Sequence, residues 1–575
     1  MNAGLTAQEP SAKYLVNLQP PLVRHFDLIA KAPSGVARLR ELILTLAVQG
    51  KLVPQDPSDE PASELLKKIR AEKDRLIAEG NIKRDKPLAE ITDEEMPFEL
   101  PAGWEWVRLG SVTTYGTPEK ASSIKPETWV LDLEDVEKST GRLLKKLRYS
   151  ERPALSDKNA FSAGDVLYGK LRPYLNKVFV ADEDGVCTTE IMPFRCYGPF
   201  VPSYFALALR APFFLDYVNA RSYGMKMPRL GTDDARRAFF PLPPMAEQSR
   251  IVTRVEELMQ LCDALEAQGQ LEAEQHARLV STLFGSLLQS DTPEALADNW
   301  QRIATHFDLL LDRPEAVDAL EQTILQLAVR GLLVPQDPTD EPASVLLQKI
   351  RTEKDHLIAQ GKIKRDKPLP PITDEEKPFE LPRGWEWVRW ADVAMKIGDI
   401  DHKMPTEVKD GVPYVSPRDF YAENSIDFEG AKKISIEDFK ELASKIRPQV
   451  GDLIYPRYGT IGVVRKVVDD RDFLASYSCA VIKAMHGFVE PDYQHLFSIS
   501  GCAKDQASAA TNKTTQPNVG LKSIQSFAMP LPPLAEQSRI VTRVNELRLL
   551  CTNLCERLKK TRSVQSHLAD ALVGN

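Results

Sequence analysis

The chain has 575 residues, 43% of them hydrophobic and 27% charged, a composition that is typical of globular proteins and excludes a disordered or fibrous chain. No apolar run approaches the ~20 residues of a membrane span, and residues 1–11 lack the basic and apolar regions of a signal peptide, so we expect a cytoplasmic protein with no membrane partner. The net charge of −8 argues against a uniformly basic nucleic-acid-binding surface, although segment 104–240 (20 Lys and Arg, 17 Asp and Glu) and segment 385–529 (18 and 20) are close to neutral.

The first hundred residues predict an arm, two helices and a linker. Residues 1–34 contain several prolines and predict a loosely docked arm. Over residues 35–49 the apolar residues recur with helical spacing, and Gly50 stands where a glycine commonly ends a helix. A charged helix is predicted at 61–79, followed by a proline-bounded linker, so we assign 35–100 to a helical region and its linker.

A mixed α/β domain is predicted over residues 101–243. Trp104-Glu105-Trp106-Val107 alternates like a strand with both indoles on one face, which suits the core. Strands are predicted at 165–168 and 177–180, and a short helix at 204–215. The domain ends in Pro241-Leu242-Pro243-Pro244, which we expect to open a long helix whose apolar residues, spaced by 3 and 4, form a coiled-coil seam.

Much of this pattern then occurs a second time. Three pairs of segments match: 46–57 with 327–338 and 103–108 with 384–389 at an offset of 281 (327 − 46), and 241–255 with 530–544 at an offset of 289 (530 − 241). The segments between them, 108–238 and 389–527, share almost nothing that can be aligned. We call these two segments the inserts and the remainder the framework. A constant framework around two different inserts suggests two different recognition surfaces.

The second copy predicts the same kinds of elements. Residues 244–381 form a central framework region with a long helix, an arm helix at 314–329 and a charged helix at 342–360. Residues 382–532 form a second α/β domain, with strands predicted at 452–455 and 461–464 and a helix at 492–497. Residues 533–575 form the last long helix.

The order of the repeated parts predicts a closed arrangement. An arm helix at 317–329 follows the first long helix, whereas the second long helix is followed by the end of the chain. If 37–49 packs on the C-terminal helix as 317–329 packs on the helix beginning at 245, the framework closes with approximate two-fold symmetry. We therefore predict an α+β fold, with two α/β domains separated by long antiparallel coiled-coil helices in a pseudo-two-fold, circular arrangement.

No catalytic signature is present in the sequence. It contains no GxxxxGK[ST] or GxGxxG phosphate loop, no HExxH, no GxSxG, and no Asn/Asp-Pro-Pro-aromatic motif of amino-methyltransferases. The seven cysteines form no CxxC pair, and Asp233-Asp234 and Asp469-Asp470 suit solvated turns better than metal ligands. These observations favour a binding protein without catalytic or metal-binding residues of its own.

Two motifs, each present twice, resemble one known family. They are Pro-Leu-Pro-Pro-Met/Leu-Ala-Glu-Gln (241–248 and 530–537), followed by a long helix, and Leu-Pro-Ala/Arg-Gly-Trp (100–104 and 381–385). Both are similar to motifs of the specificity subunit of Type I restriction-modification systems, and the resemblance covers nearly the whole chain. The motifs are specific because they occur together, in order, twice. The resemblance implies a non-catalytic subunit whose two target-recognition domains each read one half of an asymmetric bipartite DNA site.

The resemblance also implies the partners. Besides double-stranded DNA, these are two adenine methyltransferase subunits docked on the repeated helices, and two restriction subunits that act as translocase and nuclease. No cofactor is expected in this chain, whereas S-adenosylmethionine, ATP and Mg²⁺ are expected on the partner subunits.

Four loops carry the candidate DNA contacts. Segments 164–177 and 451–462 are similar to segments common in the family's recognition domains. A second polar loop precedes the end of each insert: 222–229, which contains a glycine, in the first, and 511–518 in the second. Basic, aromatic and amide groups in such loops suit phosphate and base-edge contacts. The candidate DNA-binding residues are Lys170, Arg172, Tyr174, Asn176, Lys177, Lys226, Arg229, Arg457, Tyr458, Thr460, Lys513, Thr514, Gln516 and Asn518. Alternatively, Tyr168 and Tyr455 belong to the core and the basic residues are merely solvated.

Two other functions are compatible with the same sequence. The chain could be an interaction scaffold whose helices organise partner proteins, with the inserts as spacers. A single-chain restriction and methylation enzyme is disfavoured because no methyltransferase or nuclease motif is present.

Overall fold

The computed structural model describes residues 29–574 except for 83, 85–86, 153–155, 291, 401–403, 422–423, 460–461 and 512–517. Most of the predicted arm, residues 1–28, therefore lies outside the described residues. The chain divides into two compact units: unit 1 comprises Met1–Glu272 and Arg562–Asn575, and unit 2 comprises Ala273–Thr561. Both units contain helices and strands, which confirms the mixed α+β class.

Unit 1 begins with two framework helices, α1 (Gly35–Val48) and α2 (Ala62–Ala78), which confirm both helices predicted in this region. The chain leaves α1 through Gly50, whose φ of 66° is left-handed, and a Cβ there would lie 2.4 Å from the Cγ of Pro101. Glycine therefore allows both the turn and the close approach of the chain segment that opens the first insert.

The other elements of unit 1 are, in chain order, β1 (Glu105–Arg108), α3 (Leu109–Val112), β2 (Thr113–Tyr115), β3 (Thr117–Glu119), β4 (Trp129–Leu131), β5 (Leu147–Arg148), β6 (Lys158–Phe161), β7 (Val166–Gly169), β8 (Val178–Val180), β9 (Gly185–Cys187), β10 (Ile191–Cys196), α4 (Pro202–Arg210), α5 (Pro212–Arg221), α6 (Thr232–Arg237), β11 (Phe239–Leu242) and the first part of α7 (Met245–Leu288). A four-stranded sheet has the order β2-β10-β7-β8, and a five-stranded sheet the order β3-β6-β9-β4-β5.

The first insert differs from its prediction at one helix. The helix predicted over 204–215 is two helices, because Pro212 begins α5 and proline has no amide hydrogen to continue α4. The predicted strands at 165–168 and 177–180 are present as β7 and β8, each shifted by one residue at its start. All four residues of β7 are buried, which places this strand inside the core of the insert.

A two-stranded sheet closes the first insert. Strand β11 pairs antiparallel with β1, with Trp106 opposite Pro241 and Arg108 opposite Phe239. The Pro-Leu-Pro-Pro segment therefore completes this small sheet before α7 starts at Met245. The prediction that both indoles lie in the core is right for Trp104, which is buried, but Trp106 is only half-buried against Phe98.

Helix α1 packs against parts of both long helices within unit 1. Arg40 forms ion pairs with Asp263 and Glu266 of α7, at 2.5 and 2.8 Å. Arg38 pairs with Asp570 at 2.8 Å, and Asp570 belongs to the last helix, α17 (Leu534–Gly574). Ala569 of the same helix lies in the unit 1 core with Leu39 and Ile43. The predicted packing of the first arm helix on the C-terminal helix is therefore present.

Unit 2 contains the end of α7, the first part of α17 and, in chain order, α8 (Pro293–Thr305), α9 (Phe307–Leu310), α10 (Pro314–Val329), α11 (Ala343–Ala359), β12 (Glu386–Arg389), α12 (Trp390–Val393), β13 (Lys396–Gly398), β14 (Val412–Val415), β15 (Phe420–Tyr421), β16 (Ser425–Ile426), β17 (Lys432–Ile434), α13 (Ile436–Ala443), β18 (Leu453–Pro456), β19 (Arg465–Lys466), β20 (Leu474–Ala475), β21 (Cys479–Lys483), α14 (Pro491–Ile499), α15 (Gly501–Ala509), α16 (Leu521–Ser526) and β22 (Ala528–Leu531). Its sheets have the orders β13-β21-β18-β19, β17-β14-β20, β12-β22 and β15-β16.

Each insert contains a four-stranded sheet of the same strand order, although the two sequences cannot be aligned by eye. The order β13-β21-β18-β19 repeats β2-β10-β7-β8, and β12-β22 repeats β1-β11. The strand predicted at 461–464 is wrong: Gly462 has a φ of 85° and turns the chain, and the neighbour of β18 is β19, which starts at Arg465. Ile461 itself lies outside the described residues. The predicted helix at 492–497 is present within α14.

The ion pair that joins an arm helix to a long helix has opposite polarity in unit 2. Here Glu321 of α10 accepts from Arg548 of α17 at 2.7 Å, whereas in unit 1 the arm helix supplies the cation, Arg40. Arg330, at the end of α10, also donates to the carbonyl of Leu288 at the end of α7.

Over the described parts of both units, no helix is both long enough and apolar enough to cross a membrane.

Candidate DNA interface

The structure brings together the two candidate loops of the first insert. Loop 170–177 leaves the end of β7, and loop 222–229 follows α5. The amide of Arg172 donates to the carbonyl of Pro228 at 2.7 Å, and the amide of Leu230 donates to the carbonyl of Lys170 at 3.0 Å. These backbone bonds hold the loops side by side at one end of the four-stranded sheet.

Loop 170–177 is a tight, constrained turn. A single 3₁₀ turn, Pro173–Leu175, is bracketed by Arg172 and Asn176, whose φ values of 52° and 49° lie in the left-handed region. That conformation is rare for residues other than glycine, asparagine and aspartate, so contacts around the turn must hold Arg172 in it. One such contact is the bond from Asn176 Nδ2 to the carbonyl of Arg210 at 2.9 Å. The turn presents Tyr174, which is 49% exposed, and Arg172, which is also exposed.

Three candidates in this loop are half-buried. Lys177 Nζ donates to the carbonyl of Leu133 at 2.6 Å, and burial lowers the pKa of Lys177 below its ordinary value. Asn176 is half-buried and engaged with Arg210, and Lys170 is half-buried between its backbone partners. The ammonium group of Lys177 therefore already binds an internal carbonyl, and its contact with phosphate stays a prediction.

Loop 222–229 is closed at its base. The backbones of Tyr223 and Arg229 exchange hydrogen bonds of 3.1 and 2.9 Å. The guanidinium of Arg229 donates to both carboxylate oxygens of Glu190, at 2.9 and 2.7 Å. Arg229 is therefore paired with Glu190 in the two-bond geometry that a guanidinium can also use with guanine, whereas the side chain of Lys226 is exposed.

The second insert repeats this arrangement in its described residues. The amide of Val519 donates to the carbonyl of Arg457 at 2.9 Å, and Tyr458 forms a β-bridge with Asn518. Arg457 is buried, pairs with Asp399, and donates from Nε to the carbonyl of Val519 at 3.3 Å. Its guanidinium therefore has internal partners, one of them in the second loop, and the prediction that Arg457 contacts DNA stays a prediction.

The other candidates of the second insert divide into two groups. Tyr458 and Asn518 are half-buried, and the Tyr458 ring packs edge-on against Tyr477 at 6.3 Å. Thr460, Lys513, Thr514 and Gln516 lie outside the described residues.

The interpretation of Tyr168 and Tyr455 as core residues is confirmed. Both side chains are fully buried, and burial raises the pKa of each phenol above its ordinary value. Tyr168 packs edge-on against Phe214 at 5.7 Å, and Tyr455 packs against Trp390 at 6.0 Å. The alternative that the basic residues are merely solvated does not hold for Lys177, Arg229 or Arg457, because each of these side chains has an internal partner.

Sequence reasoning missed two kinds of residues at these loops. Glu190 and Asp399 pair with the candidate arginines, but they lie 39 and 58 residues away along the chain, so no local pattern indicates them. The apolar tip formed by Tyr223, Met225 and Met227 was also missed, although two methionines beside a glycine in a polar loop are a visible signal. Across the residues that could be described, no cluster of three or more His, Cys, Asp or Glu side chains could hold a metal ion.

Comparison with known proteins identifies the family. A family model described as the Type I restriction modification DNA specificity domain matches residues 382–561. The specificity subunit of the Escherichia coli Type I restriction enzyme EcoAI is 36% identical over 578 residues, covering 94% of this chain and 93% of that relative. The chain belongs to the family of Type I restriction enzyme specificity subunits. The EcoEI specificity subunit, also from Escherichia coli, is likewise 36% identical, over 586 residues, with 94% of this chain and 93% of that protein covered.

A solved structure shares the fold. It comes from work described as the structural basis of complex assembly and conformational transition of the type I R-M system. It superposes with a TM-score of 0.51 over 83% of this chain and 98% of that chain, at 20% sequence identity.

Proposed function

We propose that this chain is the non-catalytic DNA-recognition subunit of a Type I restriction-modification complex, and that each insert reads one half of an asymmetric bipartite site. The observation that carries the proposal is the pair of joined loops at the same end of equivalent sheets in both inserts. The loops are held in the same way but carry different side chains. Equal scaffolds with different loop side chains would read two different half-sites.

Local charge supports a nucleic acid as the ligand of the first insert. Segments 170–177 and 221–229 contain six basic residues and no acidic residue, in a chain whose net charge is −8. Glu190 neutralises Arg229, Lys177 is turned inward and Lys170 is half-buried, which leaves Arg172, Arg221 and Lys226 exposed. Exposed cations on loops at one end of a sheet suit contacts with phosphate groups.

We further propose that the framework closes circularly and that its long helices set the separation of the half-sites. Two observations within the units support the closure: residues 562–575 group with unit 1, and Arg38 of α1 pairs with Asp570 of α17. Helix α7 has 44 residues and therefore measures about 66 Å at 1.5 Å per residue. An antiparallel coiled coil of α7 and α17 is part of this proposal.

Catalysis would come from partner subunits. Two methyltransferase subunits would dock on the framework, which offers each contact surface twice, and two restriction subunits would join them. S-adenosylmethionine, ATP and Mg²⁺ would then bind to these partners, in the cytoplasm. Purified alone, the chain would methylate no DNA.

An exchange of inserts tests the proposal. Residues 109–238 are replaced by residues 390–527, so that both junctions lie at the paired positions Arg108 with Phe239 and Arg389 with Ala528. The β1-β11 and β12-β22 sheets then keep the framework intact. With two copies of the second insert, we expect the complex with its methyltransferase subunits to methylate an inverted repeat of the second half-site.

Methylated adenines are mapped by single-molecule sequencing of host DNA, with the unaltered chain as the control. Continued methylation of the original asymmetric site by the exchanged protein would refute half-site reading by the inserts. Footprinting with and without the methyltransferase subunits tests the scaffold alternative, which requires that no specific sequence is protected in either case.

A further inference from the structure

The loop between Tyr223 and Arg229 exposes an apolar tip. Met225 is fully exposed, Tyr223 is 60% exposed and Met227 is 53% exposed. Large apolar side chains exposed together in this way commonly mark a binding surface. The described residues of the joined loop in the second insert present no methionine.

The tip is held in place by the rest of the loop. The paired backbones of Tyr223 and Arg229 close its base, and the Arg229 ion pair with Glu190 and the bond from Arg172 to Pro228 tie it to the sheet. Gly224 has a φ of 105°, and a Cβ there would lie 3.0 Å from the carbonyl oxygen of Met227. A loop ordered before binding loses less conformational entropy on binding, so its exposed apolar groups suit direct contact with a ligand.

The groups around the tip indicate a polyanion that also has apolar features. Arg172 and Lys226 are exposed on the two joined loops, which contain no acidic residue, and Arg221, the last residue of α5, is exposed next to them. Lys226 lies between the two methionines in the sequence, so a cation and two thioethers are offered at one place. DNA has this combination, because phosphates flank a major groove in which thymine exposes its C5 methyl group.

We propose that Met225 and Met227 recognise thymine in the first half-site by apolar contact with its C5 methyl group, and that Lys226 and Arg172 hold the adjacent phosphates. This inference rests on the proposed DNA-recognition function. Arg229 then supports the loop through Glu190 instead of reading a base. The first half-site would be read at this position by shape and apolar contact, without hydrogen bonds from the two methionines.

Replacement of thymine by deoxyuridine tests the proposal, because it removes only the C5 methyl group. Once methylation mapping has defined the site, each thymine of the first half-site is replaced in turn, and binding of the complex with its methyltransferase subunits is measured by fluorescence anisotropy. At one or more positions we expect wild-type binding to weaken about fourfold, the equivalent of one buried methyl group.

The variant Met225→Ala/Met227→Ala should bind thymine and deoxyuridine equally at those positions. Met96→Ala is the matched control, since Met96 is 38% exposed and lies outside both loops, and it should retain the discrimination. Because the altered side chains are exposed, the thermal unfolding midpoint should not change.

Several outcomes would overturn the inference while the proposed function stands. One is a first half-site that contains no thymine, and another is equal binding of the wild-type complex to thymine and deoxyuridine at every position. A third is a Met225→Ala/Met227→Ala variant that binds DNA normally but loses the methyltransferase subunits, which would make the tip a protein contact. Enhanced 2-aminopurine fluorescence at the site without any deoxyuridine effect would indicate insertion between bases and would also overturn it. Absence of any sequence-specific binding or methylation would instead refute the proposed function itself.

Discussion

The indole Nε1 of Trp104 donates a hydrogen bond to the buried carboxylate of Glu247 at 2.9 Å, and Trp385 makes the equivalent bond to Glu536 at 3.0 Å. Each tryptophan directly precedes the strand that opens an insert, and each glutamate lies in the first turn of the long helix that follows it. The two ends of an insert are therefore joined by a hydrogen bond between framework residues. Tyr204 and Tyr493 of the inserts add bonds of 3.0 and 2.9 Å to the framework carbonyls of Pro241 and Pro530.

A second contact accompanies each of these bonds. Arg250, one turn further along α7, pairs with Asp59 at 2.6 Å, and Arg539 pairs with Asp340 at the same distance. Asp59 and Asp340 lie just before the charged helices α2 and α11. The repeated residues of the framework thus form one junction that occurs once in each unit.

The hydrogen bond of Trp104 should contribute measurably to stability. Trp104→Phe keeps an aromatic ring in the core but removes the donor, which leaves Glu247 with the bond from Gln55 at 2.7 Å. We expect the free energy of unfolding to fall by about 1–3 kcal/mol, measured by urea denaturation. Trp106→Phe is the control, because Trp106 is half-buried and its bond to Phe98 is longer, at 3.3 Å. Equal losses for both variants would show that the bond to Glu247 has no special role.

Stability should also depend on the protonation of Glu247. Burial raises the pKa of this carboxyl above its ordinary value near 4.5, although the bonds from Trp104 and Gln55 oppose the shift. The folded protein then holds the proton more tightly than the unfolded chain, so this group stabilises the fold most below pH 4.5 and less as the pH rises through its folded pKa. As the pH falls through that window, wild type should gain stability relative to Glu247→Gln in urea titrations. A difference that is independent of pH would contradict this.

Two left-handed glycines should respond differently to alanine. At Gly80, with a φ of 76°, a Cβ meets nothing within 4 Å, so Gly80→Ala should cost only the roughly 1–2 kcal/mol of the left-handed conformation. At Gly50, with a φ of 66°, the Cβ also meets Pro101 at 2.4 Å, which should add about 1–3 kcal/mol. Thermal and urea unfolding of the two variants measure the difference. A similar loss at both positions would mean that the Pro101 segment moves away at little cost.

The exposed and buried cations should have separable effects. Lys226→Ala and Arg172→Ala each remove an exposed charge, so each should reduce the slope of log affinity for DNA against log salt by about 0.9. Arg457→Ala removes a buried guanidinium that pairs with Asp399 and donates to the carbonyl of Val519, and it should lower the free energy of unfolding by about 3–5 kcal/mol. Salt titrations of DNA binding and urea unfolding distinguish the two effects. An unchanged unfolding midpoint for Arg457→Ala would contradict the inference that the internal bonds of Arg457 stabilise the fold.

The framework could be predicted closely from the sequence. The helices around Leu39, Leu65 and Ile324 were found because an amphipathic helix repeats its apolar residues locally. The inserts were predicted less well. A single proline divided the helix predicted at 204–215, and Gly462 displaced a strand, because turns depend on backbone conformations that apolar periodicity does not indicate.

The sequence by itself determined the repeated framework, the position of the inserts and the family, since these depend on local periodicity and on motifs that recur in order. Only the tertiary structure decided which candidate cations are available to a ligand. Arg229 and Arg457 meet Glu190 and Asp399, and Lys177 meets the carbonyl of Leu133, across 39, 58 and 44 residues of chain. Such partners are selected by how strands and loops pack, and burial makes the pairing necessary because an unpaired charge is unfavourable away from water.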